Sequence, residues 1–293
     1  MQENLNFYSA DYILDFYQQH GYHVVKTESC WWVNYYRQKY VYFAFPAHQQ
    51  VVPTKAEVNE LFNRLPSAIA LRFIGPTHGD GKPSFIWVCR KPYNLNVIQK
   101  KSRNQTRRGL EKCSVRLLTF SQLICIGWEA HSDTLNRHGQ KAQSLGLNDI
   151  LDDCNAYKAW GAFIEDSLAA YVVVLLVDDW AHIIINRSTT SSLKHYPNNA
   201  LVFQVVSELL SQKYINVVSY GWDSLVPNQG LEKFKLGMGF VKEPVKQRII
   251  IRPKFSLLIN KYLCKLFIKV VPRKHLHYRG QQIFGLCQIL AAS

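Results

Sequence analysis

Ten consecutive apolar residues, Leu168 to Val177, constrain this chain more than any other stretch. The run is dominated by β-branched valine and ends at the turn-forming pair Asp178-Asp179. A second apolar run, Trp180 to Asn186, follows at once. Runs of this length and composition, bounded by turn residues, predict a pair of well-buried antiparallel strands. Tyr196-Pro-Asn-Asn-Ala200 then predicts a helix start, with proline in the first turn and asparagine available as a cap. Val202, Val205, Val206, Leu209 and Leu210 give that helix a one-sided apolar stripe. A short strand at Ile215–Tyr220, a helix containing Gly230–Lys235 and a strand at Gln247–Arg252 complete the segment. Strand, strand, helix, strand, helix, strand is an α/β order.

Within that order, Tyr196-Pro-Asn-Asn-Ala-Leu201, Tyr220-Gly221, Gly230-Leu231, Phe234-Lys235 and Gly239-Phe240 resemble the FemAB-like peptidoglycan aminoacyltransferases and their acyl-CoA-using GNAT relatives. The resemblance runs from about residue 95 to 253. It implies an α/β fold of two tandem GNAT-like lobes, a mixed central sheet flanked by helices, with the second lobe complete and the first degenerate.

The first part of the chain suits a degenerate lobe. Residues 7–19 have helical spacing at Tyr8, Tyr12 and Phe16, and Cys30–Tyr36 with Tyr40–Phe45 reads as an aromatic hairpin around Arg37-Gln-Lys39. Pro53-Thr54 predicts the cap of a helix, and Ser67–Ile74 and Ser84–Cys89 predict strands. A basic helix, residues 99–112, follows and leads into a short strand near Val115. Ser121–Arg137 and Asn148–Tyr157 read as helices, and the polar connector His138–Gly146 separates the lobes. The expected division is therefore 1–138, 139–255 and a C-terminal extension, 256–293.

Composition limits the partners. The 293-residue chain is 47% hydrophobic and carries a net charge of +14. This is globular, with a basic balance that favours phosphate-rich partners: CoA, a nucleotide-linked sugar, RNA or an anionic membrane surface. DNA is not among the expected partners, and a monomer is expected. From Val241 to Ser293 there are eleven Lys or Arg and one acidic residue, Glu243. Lys261, Lys265 and Lys269 line one stripe beside Leu257, Leu258, Leu263, Leu266 and Val270, so this tail either docks on the body or lies on an anionic membrane surface. Seven cysteines without a C-x-x-C pair suggest free thiols in a reducing compartment. The N-terminal residues lack the order of a secretory signal, and no run approaches the ~20 residues of a bilayer span. The expected location is the cytoplasm, with peripheral contact at a membrane.

Acyl transfer to an amine needs a held donor, a neutral amine and positive charge for the oxyanion. In the GNAT fold, the strands corresponding to Trp180–Asn186 and Ile215–Tyr220 part to receive the donor, so Asn186 is a candidate donor contact. The helix start at Tyr196, Asn198 and Asn199, preceded by Lys194 and His195, would offer N–H groups and a positive dipole end to phosphate. A plain helix cap accounts for the same residues. This start also lacks the Gly-rich loop typical of CoA-using GNAT enzymes, and Pro197 removes one donor, which shifts weight toward aminoacyl-tRNA or a modified CoA pose. Arg103 and Arg107, four apart on the basic helix, with Arg108 about 100° round, are further phosphate candidates; a solvated basic face is the alternative.

The resemblance places Lys235 in the Phe-Lys pair that neutralises charge on the donor and transition state; an exposed lysine on a helix is the alternative. Tyr220 is a candidate hydrogen-bond donor to a carbonyl. Asp223 is a candidate for orienting or deprotonating the amine, or simply a turn residue. His275 and His277 have no metal-ligand spacing, and no metal is expected. The expected function is an N-acyltransferase moving an acyl group from acyl-CoA, as co-substrate, to an amine of a small metabolite, sugar or cell-envelope precursor. The alternatives are a FemAB-like aminoacyltransferase drawing on aminoacyl-tRNA, and a catalytically degenerate scaffold that binds RNA or an anionic surface.

Overall fold

The computed structural model describes residues 7–34, 40–142 and 154–293. The chain runs α1 (Ala10–Gln19), β1 (Val24–Lys26), β2 (Trp31–Val33), β3 (Val41–Phe45), α2 (Lys55–Arg64), β4 (Ala70–Gly75) and β5 (Lys82–Arg90). Then come α3 (Lys100–Lys112), β6 (Ser114–Leu118), α4 (Phe120–Ile126), α5 (Trp128–Arg137), β7 (Tyr157–Ile164), β8 (Ser167–Val177) and β9 (Trp180–Ser188). The last elements are α6 (Pro197–Ser211), β10 (Val217–Trp222), α7 (Gln229–Gly237), β11 (Val241–Ile251), α8 (Lys261–Val270) and α9 (Tyr278–Ala291).

The chain forms two compact units that are interleaved in sequence. Unit 1 comprises Met1–Ile13, Trp87–Gly221 and Asn228–Lys242; unit 2 comprises Leu14–Ile86, Trp222–Pro227 and Glu243–Ser293. The expected cuts after 138 and 255 fall inside unit 1 and unit 2 respectively. Sheet pairing is the reason: Lys246–Ile251 of β11 pair antiparallel with Ala70–Gly75 of β4, so residues late in the chain belong with residues near its start.

Unit 1 holds strands in the order β10-β9-β8-β7-β6. The β9–β10 pair is parallel and the others are antiparallel. All of β8 beyond Ser167 is buried, because strands flank it on both sides and α5 and α6 both pack against it. That is why Leu168–Val177 reads as an unbroken apolar run. Val172, Val173 and Val174 are each 0% exposed, and burial of one such side chain contributes roughly 1.5–3 kcal/mol.

Unit 2 holds the order β1-β2-β3-β4-β11, antiparallel except for β3–β4. Trp32, Tyr42, Leu61, Phe62 and Phe73 form its core. Thr54 caps α2 as expected, in a capping box with Glu57. Arg252 Nε and Nη2 donate to the carbonyls of Ala68 (2.7 Å) and Phe62 (2.6 Å), tying down the end of α2.

Some expectations change. The helix expected at Ser121–Arg137 is two helices, because Gly127 ends α4 and starts α5. Tyr157 opens β7 rather than closing a helix; residues 148–153 of that expected helix, 143–146 of the connector and 35–39 of the hairpin turn lie outside the described residues. The tail helix begins at Lys261, where the Asn260 side chain accepts from the N–H groups of Tyr262 and Leu263, and Leu257–Ile259 precede it. Its inner face packs on α9, with Phe267 and Phe284 ring centroids 6.0 Å apart. Among the described residues, no helix is long and apolar enough to cross a membrane.

Candidate active site

The feature that makes a site in unit 1 is the parting of β9 from β10. They pair only through Trp180/Val217, Ala181/Val218 and His182/Ser219. Beyond His182, β9 carries a bulge: Val174 faces Ile183 and Val173 faces Ile185, leaving Ile184 as the extra residue, 45% exposed. A bulge bends its strand and increases the local twist, so β9 follows β8 and leaves β10. On the other side, Gly221 has φ +77° with nothing within 4 Å of a built Cβ; the backbone angle, not space, demands glycine there.

Tyr220 stands where the strands part. Asn186 Nδ2 on β9 donates to its hydroxyl at 2.7 Å, reaching across the opening. The ring meets Phe240 edge-on at 5.5 Å. Burial pushes the Tyr220 hydroxyl up to about 12, against the Asn186 hydrogen bond and the Arg187 charge, so it is neutral at ordinary pH.

Lys235 on α7 is 6% exposed. Its Nζ donates to the Tyr220 carbonyl at 2.9 Å. It lies 4.6 Å over the Tyr220 ring and 5.3 Å over the Trp87 ring, both favourable cation–π placements. Asn228 accepts from the Leu231 N–H and so sets the start of α7; the last turn then carries Lys235 inward.

The start of α6 closes rather than opens. Tyr196 is its N-cap in the left-handed region, φ 59° and ψ 42°, with no side-chain cap. The asparagines lie inside the helix and do not cap it. The Asn199 and Ala200 N–H groups both donate to the Tyr196 carbonyl, at 3.1 and 3.2 Å. Asn198 Nδ2 donates to Ser188 Oγ at 3.0 Å, while Asn199 Nδ2 points to Met238 Sδ at 3.4 Å. Helix α3 lies against this end: a Cβ on Gly109 would stand 2.7 Å from the Tyr196 carbonyl and 3.1 Å from Ala200 Cβ. Glycine permits that approach.

Arg108, Lys194, His195 and Tyr196 come together, with Glu111 and Lys112, around a small basic notch. The Arg108 guanidinium lies 5.0 Å over the Tyr196 ring. Arg107 is exposed on α3. Arg103 is turned toward its own protein: its Nη2 donates to the carbonyls of Asn96 and Ile98, so this arginine ties the loop before α3. Asp223 belongs to unit 2, where its N–H donates to Phe85 O, its carbonyl accepts from Gln247 and its charge acts on Lys82 and Arg273. Unit 1 therefore brings together Tyr220, Lys235 and Asn186, without Asp223.

Residues that the sequence did not single out complete the surroundings. Trp87 supplies the ring under Lys235. Arg137 Nη2 donates to Ser188 O and Oγ, both at 2.9 Å, and fixes the far end of β9. Of the candidates that the sequence did name, Asn186 and Asn198 have buried Oδ1 atoms with no hydrogen-bond partner among the described residues, as has the Nε of Arg187, next to Asn186 in the chain. No cluster of metal-binding side chains occurs among those residues.

No protein-family model and no curated protein matches the sequence. Solved structures do match. The C-terminal domain (DUF2156) assigned to a lysylphosphatidylglycerol synthetase from Agrobacterium fabrum aligns with a TM-score of 0.55 at 13% identity, covering 85% of this chain and 90% of that one. FemX aligns with a TM-score of 0.54 at 10% identity, covering 83% and 92%. L-PGS from Bacillus licheniformis aligns with a TM-score of 0.51 at 12% identity, covering 85% and 89%. At these identities the likeness is one of fold alone: the chain shares the mixed α/β architecture of these three structures.

Proposed function

We propose that this protein transfers an acyl group to an amine, with the parted ends of β9 and β10 as the donor slot. The observation that carries the reading is the buried Lys235 side chain, its Nζ held by the Tyr220 carbonyl where the strands part. A neutral acceptor amine attacks the donor's carbonyl carbon, and the electron pair of the C=O moves onto oxygen. Lys235 stabilises that oxyanion as a fixed positive charge in a site sheltered from water. Collapse restores the C=O and expels the carrier's oxygen or sulfur. Tyr220 protonates this leaving atom and regains a proton from the substituted nitrogen.

Acyl-CoA and aminoacyl-tRNA both present such a carbonyl, and two observations favour the second. At the start of α6 Pro197 has no N–H to offer, the Asn199 N–H bonds the Tyr196 carbonyl, and Gly109 of α3 lies against the same end, which leaves little of a pyrophosphate cradle. The unpartnered Oδ1 atoms of Asn186 and Asn198 suit either donor, accepting from the α-ammonium of an aminoacyl ester or from the amide N–H groups of CoA's pantetheine arm. The basic α3 supplies a phosphate-facing surface for RNA. The acceptor class is an amine of a small metabolite, a sugar or a cell-envelope precursor.

A thermal-shift panel tests the reading: acetyl-CoA, palmitoyl-CoA, a UDP-sugar, uncharged tRNA and aminoacyl-tRNA. A ligand at 100 times its Kd adds about 2.7 kcal/mol to the folded state. The expected result is a larger shift with aminoacyl-tRNA than with uncharged tRNA. A shift with acyl-CoA alone assigns CoA as carrier. Binding of tRNA regardless of charging, with no transfer of its amino acid to any amine, favours the non-catalytic RNA-binding scaffold. No response to any donor removes the transferase reading.

A further inference from the structure

The surface of α8 divides into three arcs. At about 100° per residue, Lys261, Lys265 and Lys269 fall within roughly 80° of one another. Tyr262, Leu266, Val270 and Leu263 occupy the next roughly 100°, and Phe267, Cys264 and Ile268 the third arc. Only the third arc is turned inward: Cys264 is 6% exposed and Phe267 packs on Phe284 of α9. The middle arc is bare, with Tyr262 72%, Val270 67% and Leu266 58% exposed. Just before the helix, Leu257 and Leu258 are 85% and 77% exposed. All three lysines are exposed.

A helix that only docks on its own protein has no use for the middle arc. Water penalises it, and isolated apolar residues on a surface do not ordinarily gather into one patch. We infer that the Leu257–Val270 face binds an anionic lipid surface. The apolar arc and the Leu257-Leu258 tip enter the headgroup–acyl boundary, while Lys261, Lys265 and Lys269 meet lipid phosphates along one flank. Charge complementarity selects this occupant over a neutral apolar partner. The whole segment from Val241 to Ser293 carries eleven basic residues against Glu243 alone. The inference stands independently of the transferase reading, since it uses none of the residues of that site.

The test is co-sedimentation of the full chain with vesicles of phosphatidylcholine containing 30% phosphatidylglycerol, against pure phosphatidylcholine, at low and high salt. Binding to the anionic vesicles, weakened by salt, is expected. Lys261→Gln/Lys265→Gln/Lys269→Gln should weaken it by roughly 100-fold, about fivefold for each lysine near the surface. Leu257→Ser/Leu258→Ser should weaken it about tenfold or more per inserted leucine. These side chains are exposed, and an unchanged melting temperature confirms the variants fold. Equal sedimentation with neutral and anionic vesicles, or none with either, overturns the inference. So does a Leu257→Ser/Leu258→Ser variant that binds vesicles normally but changes from dimer to monomer in light scattering, which would make the face a contact between copies.

Discussion

Replacing Lys235 by methionine separates a working ammonium from a structural one. The wild-type group gains a charge-assisted hydrogen bond to the Tyr220 carbonyl at 2.9 Å, a net contribution of about 1.5–3 kcal/mol. Placement over two rings, 4.6 and 5.3 Å away, adds roughly 0.5–2 kcal/mol each. Against this stands the cost of holding an ammonium at 6% exposure, several kcal/mol. Methionine refills the volume and removes that cost, so folding stability should move by no more than about 2 kcal/mol in either direction. Transition-state stabilisation has no such compensation, and loss of a preorganised donor at an oxyanion lowers the rate about 100- to 1,000-fold. The assay pairs calorimetric melting with single-turnover transfer from aminoacyl-tRNA labelled in the amino acid. Lys235→Arg is the companion, since it keeps the charge but not the compact geometry. If the methionine variant transfers at the wild-type rate, or if its loss is fully accounted for by the unfolded fraction, the reasoning fails and Lys235 is a strut.

Tyr220→Phe deletes the hydroxyl that accepts from Asn186; transfer should fall about 100-fold, in the range of a lost general acid, with a small change in melting, and unchanged single-turnover rates would remove its role. Glu57→Gln addresses pH. Burial opposes ionisation of Glu57, but hydrogen bonds from Ser29, Thr27 and Thr54 outweigh it and hold its pKa below the usual carboxylate range. The stabilisation is therefore present above the unfolded carboxylate value of about 4.3 and lost as pH falls through the folded value. The melting-temperature gap between wild type and Glu57→Gln, worth about 1–2 kcal/mol at pH 7, should shrink as pH falls from 5 to about 3; a constant gap would refute it. Gly109→Ala gains about 1 kcal/mol of helix propensity, yet its Cβ would stand 2.7 Å from the Tyr196 carbonyl. Overpacking of that kind costs about 1–3 kcal/mol, so denaturant unfolding should show a net loss, and a stabilised variant would mean α3 does not press on α6.

The sequence made visible what depends on local pattern. Buried strands on both sides of a turn at Asp178, the Thr54 cap and the helical run of α3 all leave marks within a few residues. It hid what depends on distant partners. Arg103 and Arg107 share a face by spacing, but spacing does not reveal that Arg103 is used on the carbonyls of Asn96 and Ile98. The bulge at Ile184 is one extra residue in an apolar run and changes nothing in its composition. Trp87 reads as an ordinary core aromatic until α7 brings Lys235 over it. Helix α9 leaves no such mark, because Ile283, Phe284, Leu286, Ile289 and Leu290 spread around it without a one-sided stripe.

The pairing of β11 with β4 sets a timetable for biosynthesis. On one edge β4 meets β3, close by in sequence, but its other edge waits for residues 246–251. At 5–20 residues per second, the ribosome needs on the order of 10–35 s to deliver a partner about 175 residues downstream. Throughout that interval the nascent chain displays an open strand edge, the kind of surface that recruits other chains. Expression yield should thus respond to chaperone supply and to translation speed, and shortened chains ending before β11 should accumulate as aggregates even though their first strands are intact.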